Sequence, residues 1–243
     1  MKIADRIYLV GSGSNGLMLT DEWDCNCYLV AAGDELILFD CGCGIDIQLL
    51  EQEIIRDGFR PADISYLCLT HCHGDHIGAA GYLQKKYGLK VVVMKSEAAI
   101  LRDADEEQSG LRKAREAGYY PTDYHLQPCV PDILIEAGER LQIGDLTFEI
   151  RGMKGHSPCG TAYYTVINDK SVLVIGDMLT AAGKVSIQLI PGADVLGYVD
   201  SIDQLKELEI DILLPGHGCF LLRNGSRAVT MALASFDRLV VPV

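Results

Sequence analysis

The sequence predicts an α/β (α+β) protein in which one sheet packs against another and helices lie outside. Nine short apolar or alternating runs are typical of strands, and three stretches with apolar residues three or four positions apart are typical of helices. The early strands precede any helix, whereas the later ones alternate with helices. This order suggests packed sheets with external helices.

Each predicted strand is a run of alternating or continuous apolar residues. In chain order the strands cover 6–10, 27–31, 35–40, 64–70, 89–94, 146–151, 161–167, 171–176 and 211–214. The helical patterns are Ile47, Leu50 and Ile54 before Gly58; Ala79, Leu83 and Tyr87 before Gly88; and Ile202, Leu205 and Leu208 behind a capping box formed by Ser201 and Gln204.

The chain has the length and composition of one folded domain. It contains 243 residues, of which 49% are hydrophobic, and no Pro-, Gly- or Ser-rich linker divides it. We therefore expect a single domain over 1–243. Residues 95–126 differ from the rest because they are charged, mostly helix-forming, and end in a cluster of tyrosines with a histidine. We predict that they form a helical insertion near the active site.

The charge balance argues against nucleic acid as a partner. The net charge is −13, from 34 acidic and 21 basic residues, and no Lys/Arg cluster is present to bind phosphates. No apolar run reaches the roughly 18 residues of a membrane span, and the first residues lack the pattern of a signal peptide. We expect a cytoplasmic protein with a small-molecule substrate and no membrane partner. A homodimer is compatible with the sequence, which leaves the oligomeric state open.

Two other patterns favour structural roles. The nine cysteines are scattered along a chain too large to need disulfides, so most are expected to be buried thiols in a reducing compartment. The segment "GSGSNG" at 11–16 matches a dinucleotide-binding fingerprint, but a turn and a strand follow it instead of a helix. It is therefore interpreted as a glycine-rich hairpin turn.

A dense group of metal-ligand residues lies at 71–76, within the stretch "LTHCHGDHIGAA". His71 and His73 project to the same side of an extended segment and can chelate one ion. Asp75 and His76 follow where the chain turns, so their side chains are expected to point in a different direction from those of His71 and His73. A loop this short cannot place all four groups around one ion. The spacing therefore predicts two metal ions, with further ligands from distant segments.

Three later segments supply such ligands, each just past a predicted strand and beside a glycine. They contain His156 in "GHSP", Asp177 in "GD" and His217 in "PGHG". Together with the group at 71–76 they account for five of the six histidines. Isolated core or surface histidines would not collect at strand ends in this way.

These motifs resemble those of the metallo-β-lactamase-fold hydrolase superfamily, in the glyoxalase II and lactonase-like branch, without closely matching either protein. The family motif H-x-H-x-D-H is similar to residues 71–76, and its later His, Asp and His are similar to His156, Asp177 and His217. Its first motif, an aspartate that closes a strand, is similar to Asp40 in "LFDCG". The match covers roughly 5–220 in the right order.

The resemblance implies a four-layer αββα sandwich with the site at one edge of the two sheets. Two divalent ions are implied, most simply Zn²⁺, although Fe or Mn also suits N/O ligands. The implied ligand sets are His71, His73 and His156 for the first ion, and Asp75, His76 and His217 for the second, with Asp177 bridging. A hydroxide between the ions would be the nucleophile, which makes Asp75 and Asp177 catalytic as well as ligating residues. Asp40 would orient a ligand histidine.

Differences between this sequence and the motifs of individual superfamily members narrow the function that the resemblance implies. Asp177 stands where some zinc β-lactamases have cysteine, His73 stands where flavodiiron proteins have Glu, and Thr180 stands where acyl-homoserine lactonases have Tyr. Only 25 residues follow Gly218, too few for the C-terminal domain of glyoxalase II. What remains is a hydrolase (EC 3) of a small carboxylic ester, thioester or lactone. The alternatives are a mononuclear iron dioxygenase of the persulfide dioxygenase type, a β-lactamase or phosphodiesterase, and a metal-binding protein without turnover.

Residues of the insertion are candidates to contact the substrate or to donate a proton to the leaving group. They are Tyr119, Tyr120, Tyr124 and His125. The alternative is that these aromatic residues anchor the insertion to the core. Cys159 and Cys219 lie close to His156 and His217 in sequence, and packing under the loops is the favoured interpretation for both thiols.

Overall fold

Two twisted sheets form the centre of the protein in a computed structural model that describes residues 1–243. The first sheet has the order β1-β2-β3-β4-β5-β6-β7 and the second the order β12-β11-β10-β9-β8. The strands of the first sheet are β1 (Lys2–Ala4), β2 (Ile7–Gly11), β3 (Cys27–Ala32), β4 (Glu35–Phe39), β5 (Ile64–Cys68), β6 (Lys90–Met94) and β7 (Ile133–Ile135). Those of the second are β8 (Arg140–Ile143), β9 (Leu146–Met153), β10 (Gly160–Ile167), β11 (Lys170–Gly176) and β12 (Ile212–Pro215).

Seven helices and one 3₁₀ turn cover the sheets. The helices are α1 (Ile47–Arg56), α2 (Gly74–Ile77), α3 (Ala80–Tyr87), α4 (Ala98–Asp103), α5 (Leu111–Glu116), α6 (Val195–Asp203) and α7 (Ser226–Phe236), and the 3₁₀ turn is Pro61–Asp63. None of these helices has the length and apolar character needed to cross a membrane.

The core has three apolar layers, one between the two sheets and one between each sheet and its helices. The middle layer joins the two sheets, where Phe39 of β4 meets Phe148 and Tyr163 at ring-centroid distances of 5.6 and 5.2 Å. A second layer packs α1 and α3 on the outer face of the first sheet. A third packs α6 and α7 on the outer face of the second sheet. The result is the four-layer αββα sandwich that the sequence resemblance implies.

All nine predicted strands are present, and their ends either coincide with the predicted ones or differ from them by one or two residues. Three short strands, β1, β7 and β8, were not predicted; each has three or four residues and lies at a sheet edge. The segment at 11–16 is a turn that leads into a further loop and then β3, with no helix after it, in agreement with the predicted hairpin turn. The insertion at 95–126 contains α4, α5 and the turns around them.

The third helical prediction was wrong about where the helix begins. Helix α6 starts at Val195 behind Asp194, whose carboxylate accepts a hydrogen bond from the backbone N–H of Leu196, and it ends at Asp203. Ser201 is therefore inside the helix and caps nothing. Its hydroxyl bonds instead to the backbone of Lys154, accepting from the N–H at 2.7 Å and donating to the C=O at 2.9 Å. A tertiary contact thus uses the group that the sequence pattern assigned to a local cap.

Candidate metal centre

The candidate ligands meet because the parallel strands of both sheets end at a shared edge. In the first sheet Phe39 pairs with Cys68, so Asp40 lies beside the start of the 69–76 loop. In the second sheet Gly176 pairs with Pro215, which brings Asp177 beside Gly216. A Cβ on Gly216 would lie 2.2 Å from Asp177 Oδ1, so only glycine allows this approach.

The first ligand set is a buried group of three histidines, His71, His73 and His156. Their ligand atoms all lie within 4.8 Å of one another, and His71 Nε2 is 3.0 Å from His73 Nδ1. Burial lowers the pKa of all three, that of His73 to about 3. Neutral imidazoles with their lone pairs available are the form that binds a metal ion.

Neighbouring groups fix the ring orientation of two of these histidines. Thr70 Oγ1 is 3.0 Å from His71 Nδ1, and Tyr198 Oη is 3.0 Å from His156 Nδ1. The carbonyl oxygen of Ser186 lies 3.1 Å from the same nitrogen of His156. With Nδ1 of each ring occupied by these partners, Nε2 is the nitrogen left to face the centre.

The second ligand set is Asp75, His76, Asp177 and His217, of which Asp75 and His217 lie closest to solvent. Its ligand atoms also fall within 4.8 Å of one another. His217 Nε2 lies 3.0 Å from Asp75 Oδ2, and the His217 side chain is 26% exposed, compared with 2% for His156. Asp75 and His217 therefore form the mouth of the centre, whereas His76 is fully buried.

Asp177 joins the two sets. Its Oδ2 lies 3.4 Å from His156 Nε2 and 3.2 Å from His217 Nε2. Its Oδ1 lies 3.4 Å from His76 Nε2. Burial opposes ionisation of this carboxyl, but the charges of His217 and His76 hold its pKa well below the usual range. An ionised carboxylate therefore lies between the two sets, the position of a bridging ligand.

Asp40 contacts the second set only through the Nδ1 side of the His76 ring. Its Oδ2 accepts from His76 Nδ1 at 2.8 Å and from the Thr70 hydroxyl at 2.7 Å, and its Oδ1 accepts from the Thr70 N–H at 2.7 Å. The backbone of Asp40 has φ +56°, a conformation that few residues other than Gly, Asn and Asp adopt readily. Its position is that of a residue that orients His76.

The donor atoms fit a bound cation. Four buried atoms of the two sets have no hydrogen-bond partner, namely His73 Nε2, His76 Nε2, His156 Nε2 and Asp177 Oδ1. Leaving polar atoms buried and unsatisfied is costly, and a divalent ion would satisfy ligand nitrogens and carboxylate oxygens at once. The two sets therefore have the composition and spacing of a divalent-metal centre.

The four candidate substrate contacts lie in different surroundings. Tyr120 is half-buried with its ring centroid 5.3 Å from that of Tyr124, and its pKa is raised well above the usual range by burial and then by the charge of Asp75. Tyr124 is buried, and its hydroxyl donates to two backbone carbonyls, those of Cys43 at 2.7 Å and Gly74 at 2.9 Å. It anchors the insertion to the ligand loop, the alternative that the sequence left open.

The other two candidates are exposed. The side chain of Tyr119 is 72% exposed, and His125 Nδ1 lies 2.8 Å from a carboxylate oxygen of Glu106 within the insertion itself. The structure brings neither next to a ligand residue. Cys159 is half-buried and Cys219 exposed, so packing under the loops describes the first thiol better than the second.

Sequence reasoning missed several residues that support the centre. Asn26 donates through Nδ2 to the carbonyls of Pro215 and Gly218, on either side of His217. Thr70, Tyr198 and Glu97 also contact ligands or ligand loops. Only Thr70 had a usable signal, since it is adjacent to His71.

A model of the metallo-beta-lactamase superfamily matches residues 20–217, a range that contains both ligand sets and Asp40. The chain belongs to the metallo-beta-lactamase superfamily. The resemblance inferred from the motifs is thereby confirmed.

Individual members of the superfamily differ in how much they resemble this chain. "Probable metallo-hydrolase YqgX" of Bacillus subtilis is 30% identical over 194 residues, covering 79% of this chain and 84% of that protein. "Acyl-coenzyme A thioesterase MBLAC2" of Bos taurus is 24% identical over 212 residues, covering 79% of this chain and 72% of that protein. The chain is thus similar to metallo-hydrolases, one of which is named as a thioesterase.

The fold is also shared with a solved structure, that of BJP-1, a subclass B3 metallo-beta-lactamase of Bradyrhizobium japonicum. The two superpose with a TM-score of 0.74 and 22% identity over 98% of this chain and 92% of that one. At this identity the similarity establishes the αββα fold of the superfamily and carries no information about substrate.

Proposed function

We propose that the protein is a metal-dependent hydrolase of small thioesters, carboxylic esters or lactones. The observation that carries the proposal is the pair of ligand sets that share Asp177, with Asp75 and His217 at the open side. A thioester is the first substrate to test, because a relative that is 24% identical over 212 residues is named as an acyl-coenzyme A thioesterase.

In this proposal His71, His73 and His156 hold one ion, and the second set holds another. We propose Zn²⁺ for both, since imidazole and carboxylate ligands suit it. When bound, the ions supply a water whose pKa is lowered to about 7 and a Lewis acid for the reacting carbonyl.

The residues of the chain then position and protect this chemistry. Burial of the first set keeps bulk water away from three ligands, and Asp40 fixes the ring of His76 so that Nε2 faces the centre. The raised pKa of Tyr120 keeps its phenol protonated at neutral pH. A protonated phenol beside Asp75 can donate a hydrogen bond to a departing alkoxide or thiolate.

The proposal is tested with metal-loaded protein and a panel of thioester, aryl ester, lactone, β-lactam and phosphodiester substrates. Asp177→Asn should remove hydrolysis of whichever substrate is turned over. The matched control is Asp211→Asn, because Asp211 contacts Ser171 at the opposite end of β11 and lies far from the ligands. Tyr120→Phe should lower kcat while the metal content stays unchanged. Full activity of Asp177→Asn on every substrate would contradict the proposal.

The same preparation separates this proposal from the iron dioxygenase alternative. A dioxygenase would contain about one iron per chain and consume oxygen, using the three-histidine set alone. The complete second set, with buried atoms of His76 and Asp177 that lack partners, favours the two-ion hydrolase.

A further inference from the structure

Glu97 is a buried carboxyl group for which neither ligand set accounts. It lies three residues after the end of β6 and directly before α4, at the start of the charged insertion, yet it is 0% exposed. No Lys or Arg forms an ion pair with it, and burial raises its pKa. A carboxyl group in such surroundings is costly unless hydrogen-bond donors surround it.

The donors around Glu97 come from the two loops that carry the first ligand set. Oε2 accepts from the N–H of Cys72 at 2.7 Å. Oε1 accepts from the hydroxyl of Ser157 at 2.5 Å and from the N–H of Cys159 at 3.2 Å. One carboxylate therefore bonds to both loops, one oxygen to each.

The positions of these donors connect Glu97 to the metal ligands. Cys72 lies between His71 and His73, and Ser157 directly follows His156. Groups such as Tyr198 orient a single ligand ring, whereas Glu97 sets the distance between the loop with two ligands and the loop with the third. Glu97 belongs to neither group of candidate metal-binding atoms, so it acts through its neighbours.

We propose that Glu97 is a positioning residue that holds the two loops of the three-histidine set at the spacing a metal ion requires. The inference rests on the metal centre of the proposed function and adds a residue from the insertion to it. It follows that residues 95–126 contribute to assembling the centre.

The variant Glu97→Gln tests this role with almost no change in volume. An amide has one acceptor oxygen, and its NH₂ group would face a backbone N–H, either that of Cys72 or that of Cys159. With the NH₂ group toward Cys72, the first loop loses its bond; with the NH₂ group toward Ser157, the hydroxyl of Ser157 can accept from it but the Cys159 N–H loses its acceptor, so in either orientation one backbone bond is lost. Glu53→Gln is the matched control, because Glu53 is also buried but lies on α1 and pairs with Arg56.

The measurement is the affinity of metal-free protein for Zn²⁺, by competition with a chromophoric chelator and without substrate. A His217→Ala background removes one ligand of the second set and so weakens it, which leaves the tighter binding to report on the three-histidine set. We expect Glu97→Gln to weaken Zn²⁺ binding to this set by about 10- to 100-fold, the usual effect of losing a group that positions ligands. Glu53→Gln should bind Zn²⁺ as the parent does.

Folding is checked by circular dichroism and urea unfolding of the metal-free proteins. Parental affinity in folded Glu97→Gln would overturn the inference. If that variant does not fold, Ser157→Ala removes a single bond to the same carboxylate and should show a smaller loss of affinity. Parental affinity in Ser157→Ala would then overturn the inference instead. Because no substrate is used, failure of the proposed hydrolase activity leaves this test unaffected.

Discussion

Proton release on metal binding should differ between the two ligand sets, because their histidines begin in different protonation states. Burial disfavours a charged His217, yet Asp177 and Asp75 raise its pKa to about 10. Burial opposes the charged form of His76 as well, but Cys25 and the surrounding carboxylates raise its pKa well above 6.5. In the metal-free protein both imidazoles carry a proton at neutral pH, which an incoming ion must displace.

The three-histidine set behaves in the opposite way, since its rings are already neutral. Each displaced proton makes the apparent affinity rise about tenfold per pH unit, or about 1.4 kcal/mol. For the second set, two protons give a rise of about 100-fold per pH unit between pH 6.5 and the raised pKa values. For the first set, the affinity should be independent of pH above 6.5.

The assay is isothermal titration calorimetry of metal-free protein with Zn²⁺ in buffers of different ionisation enthalpy. At pH 6 a metal-bound water, with a pKa of about 7, stays largely protonated and adds little to the number of protons released. We expect about two protons released at the second set and about none at the first. Removing one protonated group by His217→Ala should reduce the total by about one. Equal release at both sets would refute the reasoning.

Two further predictions concern stability. Tyr124→Phe removes a buried hydroxyl that bonds to two backbone carbonyls, so the free energy of unfolding measured in urea should fall by about 1–3 kcal/mol. Tyr119→Phe, at an exposed position, should leave the free energy of unfolding almost unchanged. The metal-free protein should be most stable near pH 6.5. Below this pH the unfolded chain binds a proton at His73 that the folded chain does not bind, because the folded pKa of His73 is about 3. Above this pH the stabilisation that protonated His217 gives the folded chain is lost as the pH rises through its folded pKa of about 10. Thermal unfolding across this pH range checks the second prediction, and a stability that rises steadily from pH 6.5 to 10 would contradict it.

The ligands could be predicted from sequence because each one combines a rare residue type with a position just past a strand. His156, Asp177 and His217 are beside glycines that let two chain segments approach, as the contact of Gly216 with Asp177 shows. Patterns of apolar residues located the strands, and the ends of the strands located the centre. The predicted residues thus come together because local signals and tertiary structure agree.

The supporting residues could not be predicted, because their roles exist only after folding. Glu97 follows a strand in a charged segment, where its sequence context is that of an exposed glutamate. Ser201 has the spacing of a helix cap, but its hydroxyl bonds to the backbone of Lys154, just past the end of β9. Strands β7 and β8 are too short for a periodic pattern to develop. In each case a long-range contact decides the outcome.

The most direct test of the two-ion hydrolytic centre is a titration of metal-free protein with Zn²⁺, in which hydrolysis is followed against the number of ions bound. The proposal predicts that activity reaches its maximum at about two ions per chain, and that Asp177→Asn, which alters the residue between the two sets, lacks this activity. Full activity at one ion per chain, or one iron per chain with consumption of oxygen, would contradict it.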